Sequence, residues 1–458
     1  MQSINSINTN NNIYIGRTGS ISASAEAAIS NPVTVKKTFS FGNIPAFSSA
    51  SVRTSLTTAD EKQKYNTIVS MLDRKTKKNL NAILKEGKLL NNNSDDKSTV
   101  LDNLYKIATI ERAPGLNQAD RLKDVIDRIA SPFIIIQKFG DIPKEKMTEV
   151  LSTTPVNNGT TINEASLDVH SSTCPAASIE FNLAHKMPAE FARIAEGLTS
   201  DKLGVTKTIN VDNLSQSLVD TIWMLHEFKL PHKFLNWNTL KVDLQPDRNA
   251  IIRARIQNTY KDKGERSVVD VLMQSTFMNI GAQNTYDSLI DKRIPKYNDD
   301  DSGLIDIEKN FAEEIATGKG KVCVTYQKMD ENGKLVGYEC EPQETLKHIR
   351  DTLNMGDNVI IGYTYCDNDN NVIGGHEITI IGIEKGKNGK EYFICNDTDD
   401  GIDAPIKYPV DEWLPKIHHA GIPKAALKEN VEFVENWKEL MNVYIENKKA
   451  QQAAFAAA

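Results

Sequence analysis

Residues 172–178 read STCPAAS, and this stretch places a thiol at the predicted start of a buried helix. Pro175 suits the first position of a helix, where its missing N–H would have no partner, and the alanines behind it favour helix. We therefore predict that Cys174 is the N-cap residue. Free backbone N–H groups and the positive end of the helix dipole favour the ionised form of a thiol at that position. The thiol is either a small buried hydrophobe or a nucleophile, and the rest of the chain decides between the two.

The composition is that of a globular protein. Of 458 residues, 40% are hydrophobic and 25% are charged, enough for a full core in two or three domains. Lysine and arginine total 54 against 61 acidic residues, a formal charge of -7, so neither nucleic acid nor an anionic membrane is an expected partner. The 5 cysteines include no C-x-x-C pair, which argues against a disulfide framework or a zinc knuckle and favours reduced thiols.

The N-terminus and the apolar stretches bear on location. The first residues lack the basic start and the apolar run of a classical signal peptide. No stretch approaches the roughly 20 apolar residues that a membrane helix needs. We expect a cytoplasmic protein without a membrane partner, with export by a specialised secretion route as the alternative.

Four segments differ in pattern. Residues 1–57 are Ser- and Asn-rich and are predicted to be a disordered tail, whereas periodic apolar positions predict a helical bundle over residues 58–153. Residues 154–423 are predicted to form the domain that contains the thiol, with a helical insertion at about 200–320. Residues 424–458 are predicted to form a helix and an Ala-rich tail. The bundle is a pro-segment, a partner-binding module or a scaffold.

The last third of the chain has the pattern of a sheet. Asn-Gly at residues 332–333 lies between two alternating runs, residues 322–326 and 335–340, and predicts a hairpin. A helix over residues 343–353 leads to a strand over residues 359–365. A second hairpin follows, with strands over residues 376–383 and 391–396. The predicted class is therefore α+β, with helices first and an antiparallel sheet second.

The second hairpin supplies partners for the thiol. His376 begins one strand, and Asn396 and Asp397 end the other. Counting from a turn centred near residues 386–387 sets His376 beside position 396 or 397. A nucleophilic thiol needs a nitrogen base, and the base needs a third group that fixes its tautomer. The candidates are therefore Cys174, His376 and one of the two residues that follow the second strand.

Five features of the sequence resemble one protein family. They are Cys174 at a helix start and the stretches 353–361 (LNMGDNVII), 374–382 (GGHEITIIG), 392–397 (YFICND) and 411–414 (DEWL). They resemble the papain-like cysteine peptidases, most of all the branch of bacteriocin-processing peptidases that remove double-glycine leaders. The resemblance covers residues 165–190 and 343–417, under a quarter of the chain.

This resemblance implies a fold and a chemistry. The implied fold is papain-like, with a helical half that carries the Cys helix packed against an antiparallel sheet that carries the His and the Asp. Cys174 would be the nucleophile, His376 the general base and then acid, and Asp397, in preference to Asn396, the orienting group. The implied function is a thiol peptidase that cleaves peptide bonds in a peptide or protein substrate through an acyl-thioester, with no cofactor and no metal.

Two departures from the family pattern leave other functions open. The family's Cys-Gly-Pro is Cys-Pro at residues 174–175, and the glutamine expected six residues upstream, as a donor to the oxyanion, is Asp168. An ionised carboxylate cannot donate a hydrogen bond, so Asn163, His170 or Ser171 would have to donate instead. The alternatives are an inactive papain-like module that binds peptides or host proteins, and a transglutaminase-like acyl transferase with the same residue order.

The remaining histidines are predicted to have structural or surface roles. They lack carboxylate or Cys partners at metal-ligand spacing, and they are His185, His226, His232, His348, His418 and His419. His170 is a second candidate base, four residues before the thiol. Residues 367–371 (DNDNN) suggest a calcium loop but lack its glycine and its final glutamate, so a turn is predicted there.

Overall fold

The computed structural model describes residues 52–138, 171–260, 265–293, 303–330, 332–399 and 402–427, with a few positions beyond residue 445. Most of the predicted tail, the segment that contains Asp168, Asn163 and His170, and most of the predicted C-terminal helix lie outside the described residues. The described chain combines helices with antiparallel strands, so the α+β class is confirmed at this level.

Helices dominate the chain before residue 320. In order they are α1 (Ala59–Ser70), α2 (Arg74–Lys85), α3 (Val100–Thr109), α4 (Gln118–Ala130), α5 (Cys174–Lys186), α6 (Pro188–Thr199), α7 (Leu218–Glu227), α8 (Ala250–Tyr260), α9 (Val268–Gly281) and α10 (Asp306–Thr317). Side-chain caps explain several starts: the Thr58 hydroxyl accepts the N–H of Glu61 at α1, and Ser267 accepts that of Asp270 at α9. Four of these helices occupy the described part of the predicted bundle.

A small sheet interrupts the region that was predicted to be helical throughout. Its strands are β1 (Val205–Asn210), β2 (His232–Asn236) and β3 (Thr239–Leu244), antiparallel in the order β1-β3-β2. The purely helical prediction was wrong here because an inward position of β1 is Lys207, whose ammonium pairs with buried Glu190 at 2.6 Å. A charged residue at that position hides the alternation that identifies a strand.

The main sheet has six antiparallel strands in the order β12-β11-β10-β9-β13-β6. Its strands are β6 (Val322–Thr325), β9 (Val359–Cys366), β10 (Val372–Lys385), β11 (Glu391–Asn396), β12 (Ile406–Pro409) and β13 (Ile417–Ile422). The hairpin around residues 332–333 is formed by the short strands β7 (Gln327–Met329) and β8 (Leu335–Tyr338), and β4 (Tyr286–Asp287) pairs with β5 (Lys292–Arg293). β6, predicted as part of that hairpin, instead pairs with β13 at the sheet edge.

Helices cover the sheet and bury its faces. α5 packs against β10 and also contacts α9 and α10, while α11 (Pro342–Asn354) packs on β9, β10 and β13. Two short helical turns, α12 (Val410–Trp413) and α13 (Lys424–Leu427), flank the last strand. The start of α5 therefore faces the strand that contains His376. Among the described residues, no helix combines the length and the apolar character that spanning a membrane would require.

Candidate active site

Cys174 is the first residue of α5, and Thr173 is the N-cap. The predicted N-cap at Cys174 was therefore wrong by one residue, and Pro175 is the second helical residue. Both of the first two helical positions have an N–H without an intrahelical partner, so a proline is tolerated at either. The backbone N–H of Cys174 consequently remains in the unpaired first turn, where it can donate to an oxyanion.

A buried arginine fixes the loop before Cys174. The guanidinium of Arg266 donates to the hydroxyls of Ser171 and Thr173, and its Nη2 lies 3.3 Å from a carboxylate oxygen of Asp291. The hydroxyl of Ser172 donates to the carbonyl of Asp291 at 2.7 Å. The side chains of three consecutive residues thus anchor the loop that precedes the thiol. No sequence signal connected Arg266 to Cys174, because the two residues are distant in the chain. Ser171, one of the candidate donors to the oxyanion, accepts a hydrogen bond from Arg266.

His376 and Asp397 are in direct contact, although not by the predicted register. Nε2 of His376 lies 2.8 Å from Oδ1 of Asp397. Thr379 pairs with Asn396, so His376 lies three residues beyond the end of the ladder instead of beside position 396 or 397. A bulge between Ile380 and Gly382 and a turn centred later than predicted cause this shift.

The structure places Asp397, and not Asn396, against His376. Side chains alternate between the two faces of a sheet, so Asn396 shares the face of its partner Thr379, and Asp397 shares the face of His376. Asn396 is buried, and its Nδ2 makes no hydrogen bond within the described part of the chain. Asp397 is therefore the residue positioned to orient the imidazole.

The thiol of Cys174 lies close enough to the ring of His376 to raise its pKa, and both residues line the same cleft. Because Asp397 occupies Nε2, the nitrogen left for the thiol is Nδ1. Burial lowers the pKa of His376, but the negative charge of Asp397, its hydrogen bond and the contact with Cys174 outweigh that effect and raise the pKa well above its ordinary value. Burial likewise opposes ionisation of Asp397, yet the His376 charge and its hydrogen-bond donors lower its pKa. These shifts favour an imidazolium between the thiol and the carboxylate.

Aromatic residues support this contact. The hydroxyl of Tyr408 donates to Oδ2 of Asp397 at 3.1 Å, so both carboxylate oxygens are engaged. Tyr363 presents its ring edge-on to His376, with centroids 5.7 Å apart. Trp413 stacks on Tyr408, with ring centroids 3.8 Å apart, and its centroid lies 4.6 Å from that of Tyr363. These contacts fix both tyrosines. Trp413 belongs to the turn at residues 411–414, whereas nothing in the sequence marked Tyr408.

One short segment, which begins with a 3-10 turn at Pro132–Ile134, connects the two sides of the site. The backbone N–H of Gln137 donates to the carbonyl of Thr398 at 3.0 Å, directly after Asp397. The carbonyl of Gln137 accepts from Nε of Arg266 at 2.6 Å, and the side chain of Arg266 holds the loop before Cys174. Residues 131–138 therefore contact both the segment that orients His376 and the segment that positions the thiol.

The thiol and the imidazole open into a cleft. Two glycines, Gly374 and Gly375, line it beside His376. Gly375 is needed for close packing, because a Cβ there would lie 3.3 Å from the carbonyl oxygen of Tyr363. The rest of the wall is largely apolar and includes Leu304 and Ile305. The cleft has the mixed character of a site that binds a peptide, with an apolar wall and a few polar groups.

A second polar cluster lines the same cleft. Ligand-type atoms of Asp306, His418 and His419 all lie within 4.8 Å of one another. The prediction that these histidines lack a carboxylate partner was wrong, because Asp306 is distant in sequence and reaches them only through the fold. Burial lowers the pKa of His418 to about 4 and that of His419 to about 3, so both rings are neutral at physiological pH. The arrangement is one that can hold a metal ion.

Comparisons of the chain with protein-family models, with curated proteins and with solved structures find no match. The interpretation of the site therefore rests on the contacts among Cys174, His376 and Asp397 and on the cleft into which they open.

Proposed function

We propose that this protein is a papain-like cysteine peptidase that cleaves peptide bonds through an acyl-thioester on Cys174. One observation carries the proposal: the thiol at the start of α5 and the ring of His376 line one cleft, and Nε2 of His376 lies 2.8 Å from Oδ1 of Asp397. A helix that carries the thiol and an antiparallel sheet that carries the base and the acid is the papain-like arrangement. The order Cys, His, Asp along the chain supports the same proposal.

The first chemical step is acylation. The sulfur of Cys174 attacks the carbonyl carbon of the scissile peptide bond, and the thiol proton resides on His376. As the C–N bond breaks, His376 returns this proton to the leaving amine. The backbone N–H of Cys174 donates to the oxygen that becomes negative during the attack.

The second step is hydrolysis of the thioester. His376 takes a proton from water, and the resulting hydroxide attacks the acyl carbon, which releases the carboxylic acid and restores the thiol. Asp397 stabilises the imidazolium in both steps and keeps its ring in position. Tyr408 holds Asp397 in turn, so the base is oriented before substrate arrives.

The environments of the cysteines give a direct test. Burial raises the pKa of each of the other four thiols, which are Cys323, Cys340, Cys366 and Cys395. Iodoacetamide at mildly acidic pH should therefore alkylate Cys174 much faster than any other cysteine, because only the thiolate reacts. Peptide mapping by mass spectrometry measures the five rates. Equal, slow labelling at all five positions would contradict the proposal.

A peptide library tests turnover. Wild-type protein should produce new peptides with free carboxyl ends, Cys174→Ala should produce none, and the matched control Cys340→Ala should retain full activity. Identical products from wild type and Cys174→Ala would refute the peptidase. An added primary amine separates hydrolysis from acyl transfer, because a transferase would form the amide conjugate in place of the acid.

A further inference from the structure

His418 and His419 are consecutive, yet both imidazoles lie on the same side of β13. Successive residues of a regular strand point to opposite faces. Between Ile417 and His419, however, the pairing of β13 with β9 shifts by one residue, so His418 is the extra residue of a bulge. A bulge re-aims a side chain. As a result, Nδ1 of His418 lies 2.9 Å from Nδ1 of His419.

Gly362 makes room for this arrangement. It is opposite His419 on β9, and a Cβ at this position would lie 2.1 Å from Cε1 of His419. The ring of His419 therefore occupies the space where any other residue would place its side chain. Asp306, the first residue of α10, contributes a carboxylate within 4.8 Å of both rings.

A buried glutamate contacts the ring nitrogen of His419 that does not face His418. Oε1 of Glu377 lies 3.2 Å from Nε2 of His419, and Glu377 is 5% exposed. A neutral imidazole that donates its Nε2–H to a carboxylate has an unprotonated Nδ1. Metal-binding histidines are commonly oriented in this way, with the second nitrogen donating to a carboxylate. The lone pair of His419 Nδ1 is thus directed toward His418 and Asp306.

We propose that Asp306, His418 and His419 form a binding site for a divalent first-row transition metal in the wall of the cleft that contains Cys174. Two imidazole nitrogens and one carboxylate oxygen are a ligand set that zinc and its neighbours prefer. With metal–nitrogen bonds of about 2.05 Å, the 2.9 Å separation of the two Nδ1 atoms corresponds to an angle of about 90° at the metal. Three protein ligands leave at least one coordination position, and all three residues line the cleft.

Titration with metal alone tests the site. The Cys174→Ser variant is used, because a thiol beside an imidazole also binds zinc and because this variant separates the metal site from the proposed peptidase. Calorimetry with Zn²⁺ should give one site per chain, and Co²⁺ should give visible absorption without a thiolate-to-cobalt band. Adding Glu377→Gln should weaken binding about 10- to 100-fold, the usual effect of removing a partner of a ligand histidine.

Matched variants decide the outcome. Asp306→Asn and His418→Gln, each in the Cys174→Ser background, should weaken binding by more than tenfold, whereas His226→Gln, at a histidine whose side chain is 81% exposed, should leave it unchanged. Circular dichroism without metal verifies that each variant is folded. No saturable binding, binding unaffected by Asp306→Asn, or a thiolate-to-cobalt band would overturn the proposal and leave the two rings as a hydrogen-bonded pair.

Discussion

The substitution Asp397→Asn removes the negative charge of this side chain and keeps its shape. The amide oxygen of asparagine can still accept a hydrogen bond from Nε2 of His376 across 2.8 Å, so the orientation of the ring is retained. The negative charge that raises the pKa of His376 is removed. The expected result is a less stable thiolate–imidazolium pair at Cys174, and therefore slower alkylation at mildly acidic pH.

The magnitude follows from the burial of the two partners. The side chains of His376 and Asp397 are 11% and 9% exposed, so solvent screens their contact little. Removing one partner of a buried ion pair costs about 3–5 kcal/mol. At 1.36 kcal/mol for each tenfold change, the lower end corresponds to about a hundredfold smaller population of the reactive pair.

The assay is the rate of iodoacetamide alkylation of Cys174 from pH 5 to pH 9, followed by mass spectrometry. Asp397→Asn should label about a hundredfold more slowly than wild type at pH 6 and approach it at high pH, where a thiol ionises without help. The matched control is Asp399→Asn. It removes the same charge two residues along the chain, from a side chain that is 48% exposed. Equal rates for wild type and Asp397→Asn at pH 6 would refute the role assigned to this carboxylate.

Three further predictions concern the surroundings of the site. Tyr408→Phe removes a hydrogen bond to the Asp397 anion, which raises the pKa of that carboxyl and should move the acid limb of peptidase activity upward by about one pH unit. Arg128→Met removes the guanidinium that offsets buried Asp270, and urea denaturation should show a loss of about 3–5 kcal/mol in the free energy of unfolding. The pKa of His376 is raised and that of Asp397 is lowered, so wild type should exceed Asp397→Asn in free energy of unfolding. This difference should be largest between about pH 4 and 6.5. Thermal unfolding should show that advantage shrinking as pH rises through the raised pKa of the histidine or falls through the lowered pKa of the aspartate.

Local pattern predicted the elements of the fold better than their pairing. Alternation and the turn at residues 385–390 identified the hairpin of β10 and β11, because those signals lie within a few residues of one another. The register shifted because a bulge leaves no mark in a sequence. The small sheet was missed because Lys207 is buried in a salt bridge with Glu190. A charged residue at an inward position of β1 breaks the alternation of apolar and polar residues that identifies a strand.

The same distinction applies to the site. Cys174 and Asp397 could be selected from the sequence because one begins a helix and the other follows the end of a strand. His376 was predicted to begin its strand but lies inside β10, which starts at Val372, and Gly374 and Gly375 before it were the signal that marked it. Arg266, Tyr408 and the Asp306 cluster could not be selected, because their roles depend on contacts between segments that only the fold brings together. The histidines at 418 and 419 illustrate the limit, since a bulge in β13 and the start of a distant helix bring them next to Asp306.

The segment at residues 131–138 has a consequence for the bundle that precedes the thiol. It bonds to Thr398 on one side and to Arg266 on the other, so it connects the base to the nucleophile through a third piece of chain. Any opening that separates the sulfur from the imidazole has to break one of these contacts. Truncation of the first 138 residues should therefore slow the alkylation of Cys174, because it removes the contacts that Gln137 makes with Thr398 and Arg266.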